Sequence, residues 1–347
     1  MTKPLIHGLS RLELEEACKG MAIPAYRAGQ IWAWLYGQRV AAWTDMKNLP
    51  ASLREGLAGR FEIVPVTLLK IEGAHESTRK ILVGLRDGEC VEEVLIPARD
   101  RKTVCVSSQI GCRFACVFCA SGKSGCVRSL EAGEIVGQVL LAWREFVDRP
   151  SNIVFMGMGE PFDNYDAVLK AVRILNDPDG ITIGARHITI STSGVVPGIE
   201  RLAGEGLQVE LSVSLHAPEN ELRSRLMPVN RRYPLADLLT ACRKFATATN
   251  RIITFEYTLI RGVNDSRQQA QALAKLLKPI PSRVNLIPLS PVKGFDGQAP
   301  VPETGVMFID ILARSGINAT LRVSKGTGID AACGQLRMRS RKVIHEN

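Results

Sequence analysis

The chain has no long hydrophobic run and no internal repeat among its 347 residues. Its longest apolar stretches, such as Val139–Trp143 and Ile153–Met156, fall far short of the ~20 residues that a membrane span needs. Residues 1–13 carry charges and contain no apolar segment of the kind that a signal peptide has. We therefore expect a cytoplasmic protein that does not enter a membrane.

Strong compositional bias is also missing. Hydrophobic residues make up 46% of the chain and charged residues 23%, which excludes a disordered or fibrous protein. The length is enough for about two domains, or for one large α/β barrel with an appendage. The 44 basic residues exceed the 35 acidic ones and give a net charge of +9, which favours a polyanionic partner.

The segment 1–60 has the pattern of a small helical domain. Apolar residues recur at helical spacing in Leu12–Cys18 and in Tyr26–Tyr36. We expect the tryptophans of this segment to form its core, with nucleic-acid stacking by one of them as the alternative. These are Trp32, Trp34 and Trp43.

The rest of the chain divides into a short β segment and a long alternating one. Residues 61–97 contain three short alternating runs between polar turns, which predict an antiparallel meander. From 98 to 336, strand-like and helix-like segments alternate, which predicts a parallel sheet with ligands at the carboxyl ends of its strands. The expected strands of this core are Thr103–Ser107, Asn152–Met156, His187–Ile190, Val209–Leu215, Thr254–Ile260, Val284–Leu289 and Thr320–Val323. The expected helices are Ser129–Asp148, Asp166–Asn176, Leu235–Thr249, Ser266–Leu277 and Thr304–Ser315, and a basic tail occupies 337–347.

The nine cysteines are an odd number, and three of them, Cys112, Cys116 and Cys119, crowd into eight residues. In a cytosolic chain this pattern favours metal or redox chemistry over a disulfide scaffold. Structural zinc sites need four ligands, whereas iron–sulfur clusters are the usual partner of close thiolate sets. Three cysteines would leave one iron of a cubane open to a substrate. The alternative is a zinc ion with Cys126 as the fourth ligand.

The spacing Cys-x3-Cys-x2-Cys, with Phe118 before the last cysteine, resembles the radical S-adenosylmethionine (SAM) superfamily. Members of that superfamily bind the amino and carboxylate groups of SAM at the open iron of a 4Fe-4S cluster. The resemblance implies a cluster held by Cys112, Cys116 and Cys119. It also implies an α/β fold, a partial (β/α)6 radical SAM barrel, here with the small N-terminal helical domain as an accessory.

Further motifs extend the resemblance over nearly the whole chain, to the RlmN family. Members of that family are dual-specificity RNA methyltransferases that methylate C2 of one adenosine in 23S rRNA and of the adenosine 3′ of the tRNA anticodon. A sister family, Cfr, methylates C8 of the same rRNA adenosine. The motifs are 24–31 (PAYRAGQI), Asn48–Pro50, 105–112 (CVSSQIGC), Met156–Pro161, Ser191–Gly194, Ser214–Ala217, Met227–Asn230, Gly262–Asp265, Asn285–Pro288 and 330–335 (DAACGQ).

Adenine C2 is an electron-poor carbon without a nucleophilic lone pair, so it cannot attack the methyl group of SAM directly. The resemblance implies instead that one SAM methylates Cys333, and that a second SAM, the other of two per turnover, supplies the radical that activates this methyl group. It assigns Cys105 as the thiol that releases the product by forming a disulfide with Cys333. It also assigns Glu92 as the base that removes the C2 proton, with Glu93 as the neighbour most easily mistaken for it. Taken alone, the two cysteines would be ordinary packed thiols.

The SAM site implied by the resemblance lies at the ends of strands. Gly157 and Gly159 allow a close approach of the backbone, and Glu160 can accept a hydrogen bond from an ammonium or ribose hydroxyl group. Without the resemblance, His216 would be interpreted as a core residue. The remaining contacts implied by the family are Ser191, Ser214, Leu215, His216 and Asn285.

The resemblance implies 23S rRNA, tRNA and an electron donor such as flavodoxin or ferredoxin as partners of a monomeric enzyme. Four arginines near Met227–Asn230, together with the basic tail, are candidate phosphate contacts. These are Arg223, Arg225, Arg231 and Arg232. Four cysteines match no motif and are expected to be ordinary thiols. They are Cys18, Cys90, Cys126 and Cys242.

Two alternatives stay open at this point. Within the class, methylation at C8 is the alternative, because Leu289–Pro291 and residues 325–329 depart from the family pattern beside the loop that carries Cys333. In a different class, a non-catalytic zinc-bound RNA-binding protein would explain the basic tail and the tryptophans. It would leave Cys105 and Cys333 unexplained.

Overall fold

The computed structural model describes residues 3–123, 125–146, 149–322 and 326–336. The predicted basic tail at 337–347 lies outside these residues, as does Val323, the last residue of the final expected strand. None of the described helices is both long enough and apolar enough to cross a membrane.

The N-terminal segment is helical, as the sequence predicts. Its helices are α1 (Arg11–Gly20), α2 (Tyr26–Trp32), continued by a π-helical turn over Ala33–Gly37, and α3 (Ala51–Arg60). At the start of α1 the Ser10 hydroxyl accepts from the amide of Glu13 at 3.3 Å, and the Glu13 carboxylate accepts from the amide of Ser10 at 2.7 Å. This reciprocal cap satisfies two N–H groups that the helix leaves free.

An antiparallel meander follows, also as predicted. Its strands are β1 (Thr67–Glu72), β2 (Arg79–Gly84) and β3 (Cys90–Ala98). The meander joins the rest of the sheet because β3 pairs antiparallel with the next strand, with Val94 opposite Cys105.

Seven parallel strands continue the same sheet. Among the described residues the sheet has ten strands in the order β1-β2-β3-β4-β7-β8-β9-β10-β11-β12, with the last seven parallel. A separate antiparallel ribbon consists of β5 and β6. These strands are β4 (Arg101–Cys105), β5 (Gln109–Gly111), β6 (Cys126–Ser129), β7 (Asn152–Phe155), β8 (Ile188–Thr192), β9 (Glu210–Ser214), β10 (Ile253–Leu259), β11 (Ser282–Pro288) and β12 (Asn318–Leu321).

Helices connect the parallel strands. They are α4 (Ala120–Lys123), α5 (Ala132–Phe146), α6 (Tyr165–Asn176), α7 (Val196–Ala203), α8 (Asn220–Leu226), α9 (Leu235–Thr249), α10 (Arg267–Leu277) and α11 (Pro302–Arg314). Each strand from β4 to β11, the ribbon apart, is followed by a helix that leads to its parallel neighbour, and β12 adds a last strand. The described chain therefore contains six βα units, which confirms the expected partial (β/α)6 barrel.

One apolar core runs from the N-terminal helices into the barrel. Trp32 is buried in it and donates a hydrogen bond to Asp177 at 3.2 Å, while Trp34 and Trp43 are half-buried at its edge. Leu5 packs so closely on α5 that a Cβ on Gly133 would lie 2.8 Å from the Cβ of Leu5. The core role predicted for the tryptophans is thus confirmed for Trp32, whereas Trp34 and Trp43 only pack against the core. The division of the chain at 60 and 97 stays a prediction.

The strands place their inward side chains in layers. Along β8, Thr189 faces a cavity at the amino end of the barrel, and Ser191 faces a second cavity at the carboxyl end. The same division holds for Ser212 and Ser214 on β9. Side chains two residues apart share one face of a strand, so each strand contributes to both ends of the barrel.

Candidate active site

The three clustered cysteines lie on the loop between β5 and α4 and line one cavity of about 170 Å³ at the carboxyl end of the barrel. Backbone hydrogen bonds shape this loop: the amide of Cys112 donates to the Gly125 carbonyl at 2.7 Å, and that of Cys119 to the Cys116 carbonyl at 3.1 Å. The loop therefore brings the three thiols to a single cavity, as the spacing predicts.

The donor set fits an iron–sulfur cluster better than a single metal ion. Burial raises the pKa of Cys112 to about 12 and also raises those of Cys116 and Cys119, so these thiols need a bound cation to ionise. Thiolates on one zinc ion converge to roughly 3.8 Å from each other, because Zn–S bonds are about 2.3 Å. No group of three His, Cys, Asp or Glu among the described residues converges in that way. A cubane binds each thiolate at a different corner, so wider spacing suits it.

Strand ends form the opposite wall of this cavity. Gly157, Gly159, Ser191, Ser214 and His216 all line it, as expected for the SAM site. The glycines are required by the packing: a Cβ on either one would lie within 2.7 Å of a neighbouring loop, including the backbone that precedes the cysteines.

Glu160 does not line the cavity but joins two of its loops. Its carboxylate accepts from the amide of Phe162 at 3.0 Å and from that of Ser193 at 2.7 Å. It is 3% exposed, and burial raises its pKa despite these hydrogen bonds. Each carboxylate oxygen keeps a second lone pair. Its direct contact with SAM therefore stays a prediction.

His216 is held with one ring nitrogen inward. Its Nδ1 accepts from the amide of Thr258 at 2.8 Å, which leaves Nε2 to carry the proton, and its ring meets that of Phe118 at 4.8 Å. Burial, with a smaller effect from Arg223, lowers the pKa of His216 to about 3, so the ring is neutral at physiological pH. Its neighbour Leu215 is fully buried and does not line the cavity.

Asn285 does not line this cavity, and its contact with SAM stays a prediction. Its side chain accepts from Thr320 at 2.8 Å and donates to Glu256 at 3.4 Å, and it lines the cavity at the amino end of the barrel. Ser290, five residues later, lies beside the cysteines instead. The sequence analysis did not single out Ser290, because a serine after a strand carries no signal of its own.

Cys105 and Cys333, 228 residues apart in sequence, line a second small cavity of about 30 Å³ beside the first. Cys333 is exposed on the loop that follows β12, whereas Cys105 is buried at the end of β4. Burial, helped by the nearby Cys333 sulfur, raises the pKa of Cys105 to about 12. The sequence-predicted pair of reactive thiols thus shares one pocket.

The loop that carries Cys333 is bound to the cysteine loop. The amide of Ala120 donates to the carbonyl of Gly334 at 2.7 Å, and the Ser121 hydroxyl donates to the carbonyl of Leu336 at 2.6 Å. Gly334 has a positive φ of 82°, and a Cβ there would lie 2.9 Å from the Phe118 carbonyl oxygen. The two loops therefore fix the position of Cys333 relative to the cluster cysteines.

Arg322, just after β12, was not singled out from the sequence. It lines both cavities and lies within hydrogen-bond reach of Cys333, and it also faces Cys105 and Glu256. A guanidinium in this position stabilises a thiolate on either cysteine.

Glu92 and Glu93 lie on opposite faces of β3. Glu92 shares the face of Val94 and Ile96, which border the cavity of the two thiols. Its carboxylate lies 3.5 Å from Lys80, whose ammonium group also reaches the carbonyl of Asp330 at 3.5 Å, just before Cys333. Glu92 itself does not line either cavity, so its role as a base stays a prediction.

Glu93 is fully buried on the other face, and neither of its carboxylate oxygens has a hydrogen-bond partner among the described residues. Burial raises its pKa well above the usual value. Glu93 thus lies on the face of β3 opposite to the residues that border the thiol pocket, and the choice of Glu92 as the base stays a prediction.

Arg223 is not a phosphate contact, and that prediction is wrong. Its side chain is fully buried, and its guanidinium donates to the carbonyls of Leu215, Ser214 and Ser193 and to the Asn230 side chain at 2.7–3.1 Å. Its role is to hold the loops after β8 and β9 together. The other three arginines of the set are exposed; they are Arg225, Arg231 and Arg232.

The four cysteines outside the motifs are packed to different degrees. Cys18, Cys90 and Cys242 are buried, and Cys126 is half-buried in β6. That these four have no role in the reaction stays a prediction.

Comparison with known proteins agrees with this geometry. The family model of the radical SAM superfamily matches residues 106–274, and the model described as the ribosomal RNA large subunit methyltransferase N-terminal domain matches residues 6–63. A probable dual-specificity RNA methyltransferase RlmN from Moorella thermoacetica is 49% identical, over 98% of both chains. Its counterpart from Geobacillus kaustophilus is 46% identical, over 98% of this chain and 94% of that one.

Among solved structures, the crystal structure of a radical SAM methyltransferase from Sphaerobacter thermophilus superposes with a TM-score of 0.93. It is 48% identical, and the match covers 96% of this chain and 99% of that one. The family resemblance found in the sequence is thereby confirmed, and with it the relation to an enzyme class that uses SAM and a 4Fe-4S cluster. This chain belongs to the RlmN family of radical SAM RNA methyltransferases.

Proposed function

We propose that this enzyme methylates C2 of one adenosine in 23S rRNA and of the adenosine next to the tRNA anticodon, through a methyl group carried on Cys333. The observation that carries the proposal is the pocket shared by Cys105 and Cys333, directly beside the cavity of the three clustered cysteines. A methyltransferase that transferred methyl groups directly from SAM would need neither thiol. The RlmN name of the relatives supports the RNA substrates.

The carrier role of Cys333 follows from its surroundings. Its sulfur faces the cavity of the cluster cysteines and lies within reach of Arg322, which stabilises the thiolate that accepts a methyl group from the first SAM. Cys112, Cys116 and Cys119 would hold the 4Fe-4S cluster, which would supply the electron for cleavage of the second SAM, whose 5′-deoxyadenosyl radical takes the hydrogen atom from the methyl group, and would accept the electron that the base adduct gives up. Cys333 loses a hydrogen atom from its methyl group, and the resulting methylene adds to C2.

Two further residues complete the turnover. Glu92 takes the C2 proton, from a position linked through Lys80 to the loop of Cys333. The Cys105 thiolate attacks the Cys333 sulfur, forms a disulfide, and leaves its electron pair on the exocyclic carbon, which takes up a proton to become the methyl group. Formation of the disulfide oxidises the two cysteines by two electrons, and the same two electrons reduce the methylene carbon to the methyl group.

The preference for methylation at C2 over C8 rests on family membership, not on the residues that line the site. Leu289–Pro291, where the family pattern is not kept, includes Ser290 on the cavity wall. Residues 326–329 precede the Cys333 loop, and Lys325 lies outside the described residues. Methylation at C8, as in the Cfr family, is the alternative that these departures from the family pattern leave open.

RNA docking involves the helical segment 1–60 and the exposed arginines near the site. Arg225, Arg231 and Arg232 lie on the surface beside the site loops, where phosphate groups of a bound RNA can reach them. The basic tail lies outside the described residues. We place the remaining boundaries at 61–97 for the β segment and 98–336 for the radical SAM core.

The enzyme also needs an electron donor such as flavodoxin or ferredoxin, since the cluster must be reduced before each cleavage of SAM. We place it in the cytoplasm, because a reducing compartment keeps the nine cysteines available as thiols and cluster ligands. We expect a monomer, with two SAM molecules used in each turnover.

The test separates the two cysteines by what each variant accumulates. Cys333→Ala should give no methylated adenine and no covalent adduct with RNA, because the carrier is missing. Cys105→Ala keeps the carrier, so it should trap a protein–RNA crosslink through Cys333, seen as a gel band that RNase removes. Cys126→Ala, which removes a half-buried thiol with no predicted role, is the matched control and should turn over normally.

Mass spectrometry of nucleosides from the treated RNA decides between C2 and C8. Normal turnover by Cys105→Ala without any crosslink would overturn both thiol roles.

A further inference from the structure

The largest cavity described above is not the one that holds the cysteines. It occupies the amino end of the barrel, measures about 670 Å³, and is lined by one to three residues of each parallel strand. Drug-sized ligands occupy pockets of ~300–1,000 Å³, so this cavity admits a small organic molecule. Nothing in the proposed methylation uses it.

The mouth of this cavity is exposed and basic. Arg101 and Arg283 lie at the rim and are both exposed. Arg283 lies 3.2 Å from Glu210, and Arg251 binds the same carboxylate, so the two arginines leave one positive charge in excess. With Arg101 the rim carries a net positive charge, which attracts small anions.

The cavity leads towards the two reactive thiols. Arg101, Thr103 and Cys105 follow one another on the inward face of β4, from the rim to the pocket that Cys105 shares with Cys333. Four side chains border both the large cavity and that pocket. They are Ile96, Val154, Met156 and Arg322. These four side chains are all that separates the amino-end cavity from the pocket of Cys105, on the face opposite to the three clustered cysteines.

Under the proposed function, on which this inference rests, every turnover leaves a disulfide between Cys105 and Cys333. The enzyme is inactive until that bond is reduced. We propose that the cavity at the amino end of the barrel admits a small anionic thiol that reduces this disulfide by attacking the sulfur of Cys105. Two thiols are consumed: the first forms a mixed disulfide with Cys105 and expels the Cys333 thiolate, and the second releases Cys105 and leaves as the oxidised dimer of the small thiol.

The direction of attack follows from the two sulfur atoms. A thiolate leaves more readily in disulfide exchange when a nearby cation stabilises it, and less readily when it is buried. Attack on Cys105 expels the thiolate of Cys333, which lies within reach of the Arg322 guanidinium. Attack on Cys333 would expel the thiolate of Cys105, whose pKa is raised to about 12 by burial. Entry through the amino end therefore also regenerates Cys333 in the form that accepts the next methyl group.

The experiment uses the holoenzyme after one turnover without any thiol, and follows the disulfide by alkylation and mass spectrometry. The probes are 2-mercaptoethanesulfonate, which is anionic, and 2-mercaptoethanol, which is neutral, each calibrated against an exposed model disulfide. We expect the wild type to favour the anionic thiol by about tenfold at low salt. Arg101→Glu should abolish that preference. Lys275→Glu, the same charge change on the exposed face of α10, should keep it.

A second pair of variants tests the path by size. Thr103→Trp places an indole in the cavity and should slow reduction by both thiols about tenfold or more, whereas Thr103→Val should not. Methylation by enzyme reduced beforehand, measured in one turnover, should be normal in all four variants. Reduction that is unchanged by both Arg101→Glu and Thr103→Trp would overturn the inference, because the reductant would then reach Cys333 from the cluster side. Loss of single-turnover methylation in the wild type, or absence of the disulfide, would instead overturn the proposed function.

Discussion

At the carboxyl end of the barrel cysteines, glycines, serines and aromatic rings line the cavity, whereas at the amino end arginines, asparagines and threonines line it beside apolar side chains. The cysteines belong to loops, but strands β8 and β9 contribute to both cavities with residues two positions apart. The carboxyl-end cavity measures about 170 Å³ and its loops hydrogen-bond to each other, whereas the amino-end cavity measures about 670 Å³. The difference shows that a position two residues further along one strand decides which of the two cavities a polar side chain lines.

We expect the largest difference between the two ends when one of the three predicted cluster ligands at the carboxyl end is removed. Cys112→Ala, Cys116→Ala or Cys119→Ala should abolish both iron binding and SAM cleavage, because two thiolates cannot hold a cubane with one open iron. Iron content and 5′-deoxyadenosine formation measure the two effects. Cys126→Ala is the matched control on the neighbouring strand β6. Full iron content in any of the three ligand variants would contradict the assignment of the carboxyl end.

Arg223 tests how far the loops of the carboxyl end depend on buried hydrogen bonds. Arg223→Met leaves three carbonyls and the Asn230 side chain without their donor, which should lower the free energy of unfolding by about 3 kcal/mol. Arg225→Met, on the exposed side of the same helix α8, should change it by less than about 0.5 kcal/mol. Urea denaturation compares the two. Equal effects would mean that the loops after β8 and β9 hold together without Arg223.

The pH dependence of adduct release tests the role of Cys105, which lies between the two ends of the barrel. Because burial raises the pKa of Cys105 to about 12, its thiolate fraction should rise about tenfold per pH unit in the neutral range. Release of the protein–RNA adduct should therefore accelerate about 100-fold between pH 7 and pH 9, as followed in one turnover. Formation of 5′-deoxyadenosine, which does not involve this thiol, should change much less. A flat rate of release would exclude Cys105 as the attacking group.

The smallest expected effect is the difference between two substitutions on the same strand, β8. Ser191→Ala removes a hydroxyl from the carboxyl-end cavity and should weaken SAM binding about tenfold, the loss of one hydrogen bond. Thr189→Val makes the same kind of change two residues earlier, at the amino end, and should leave SAM affinity within about twofold. Equilibrium binding of SAM to the cluster-loaded protein measures both. Similar losses in the two variants would show that SAM extends through the barrel.

The sequence is sufficient to predict long helices whose ends are marked by residues that stop a helix. Helix α9, predicted at Leu235–Thr249, is found with those bounds, since Pro234 precedes it and Asn250 follows it in a left-handed conformation with φ of 52°. Helix α7 was missed because its eight residues include Pro197 and Gly198, which carry no helical periodicity. The ribbon of β5 and β6 was missed because each of its strands has only three or four residues.

The site shows a similar limit. Motifs next to strand ends located the cysteines, Gly159, Ser191 and Ser214, because loops that bind ligands follow strands in this fold. Period-two alternation cannot tell which end of the barrel an inward residue faces: Asn285 lines the amino-end cavity and bonds to Glu256, which lines both cavities, so its contact with SAM stays a prediction. The amino-end cavity could not be predicted at all, since its lining is scattered from Ile96 to Arg322 with no shared motif.

The bonds between the cysteine loop and the loop of Cys333 also bear on how the protein is made. Ala120 and Ser121 bind carbonyls of residues more than 200 positions later, so the ribosome makes the three clustered cysteines long before it makes Cys333. During that interval the nascent chain holds these cysteines without the loop that hydrogen-bonds to theirs. The carboxyl-end cavity, which Cys333 and Gly334 also line, is therefore complete only after the last strand has been synthesised.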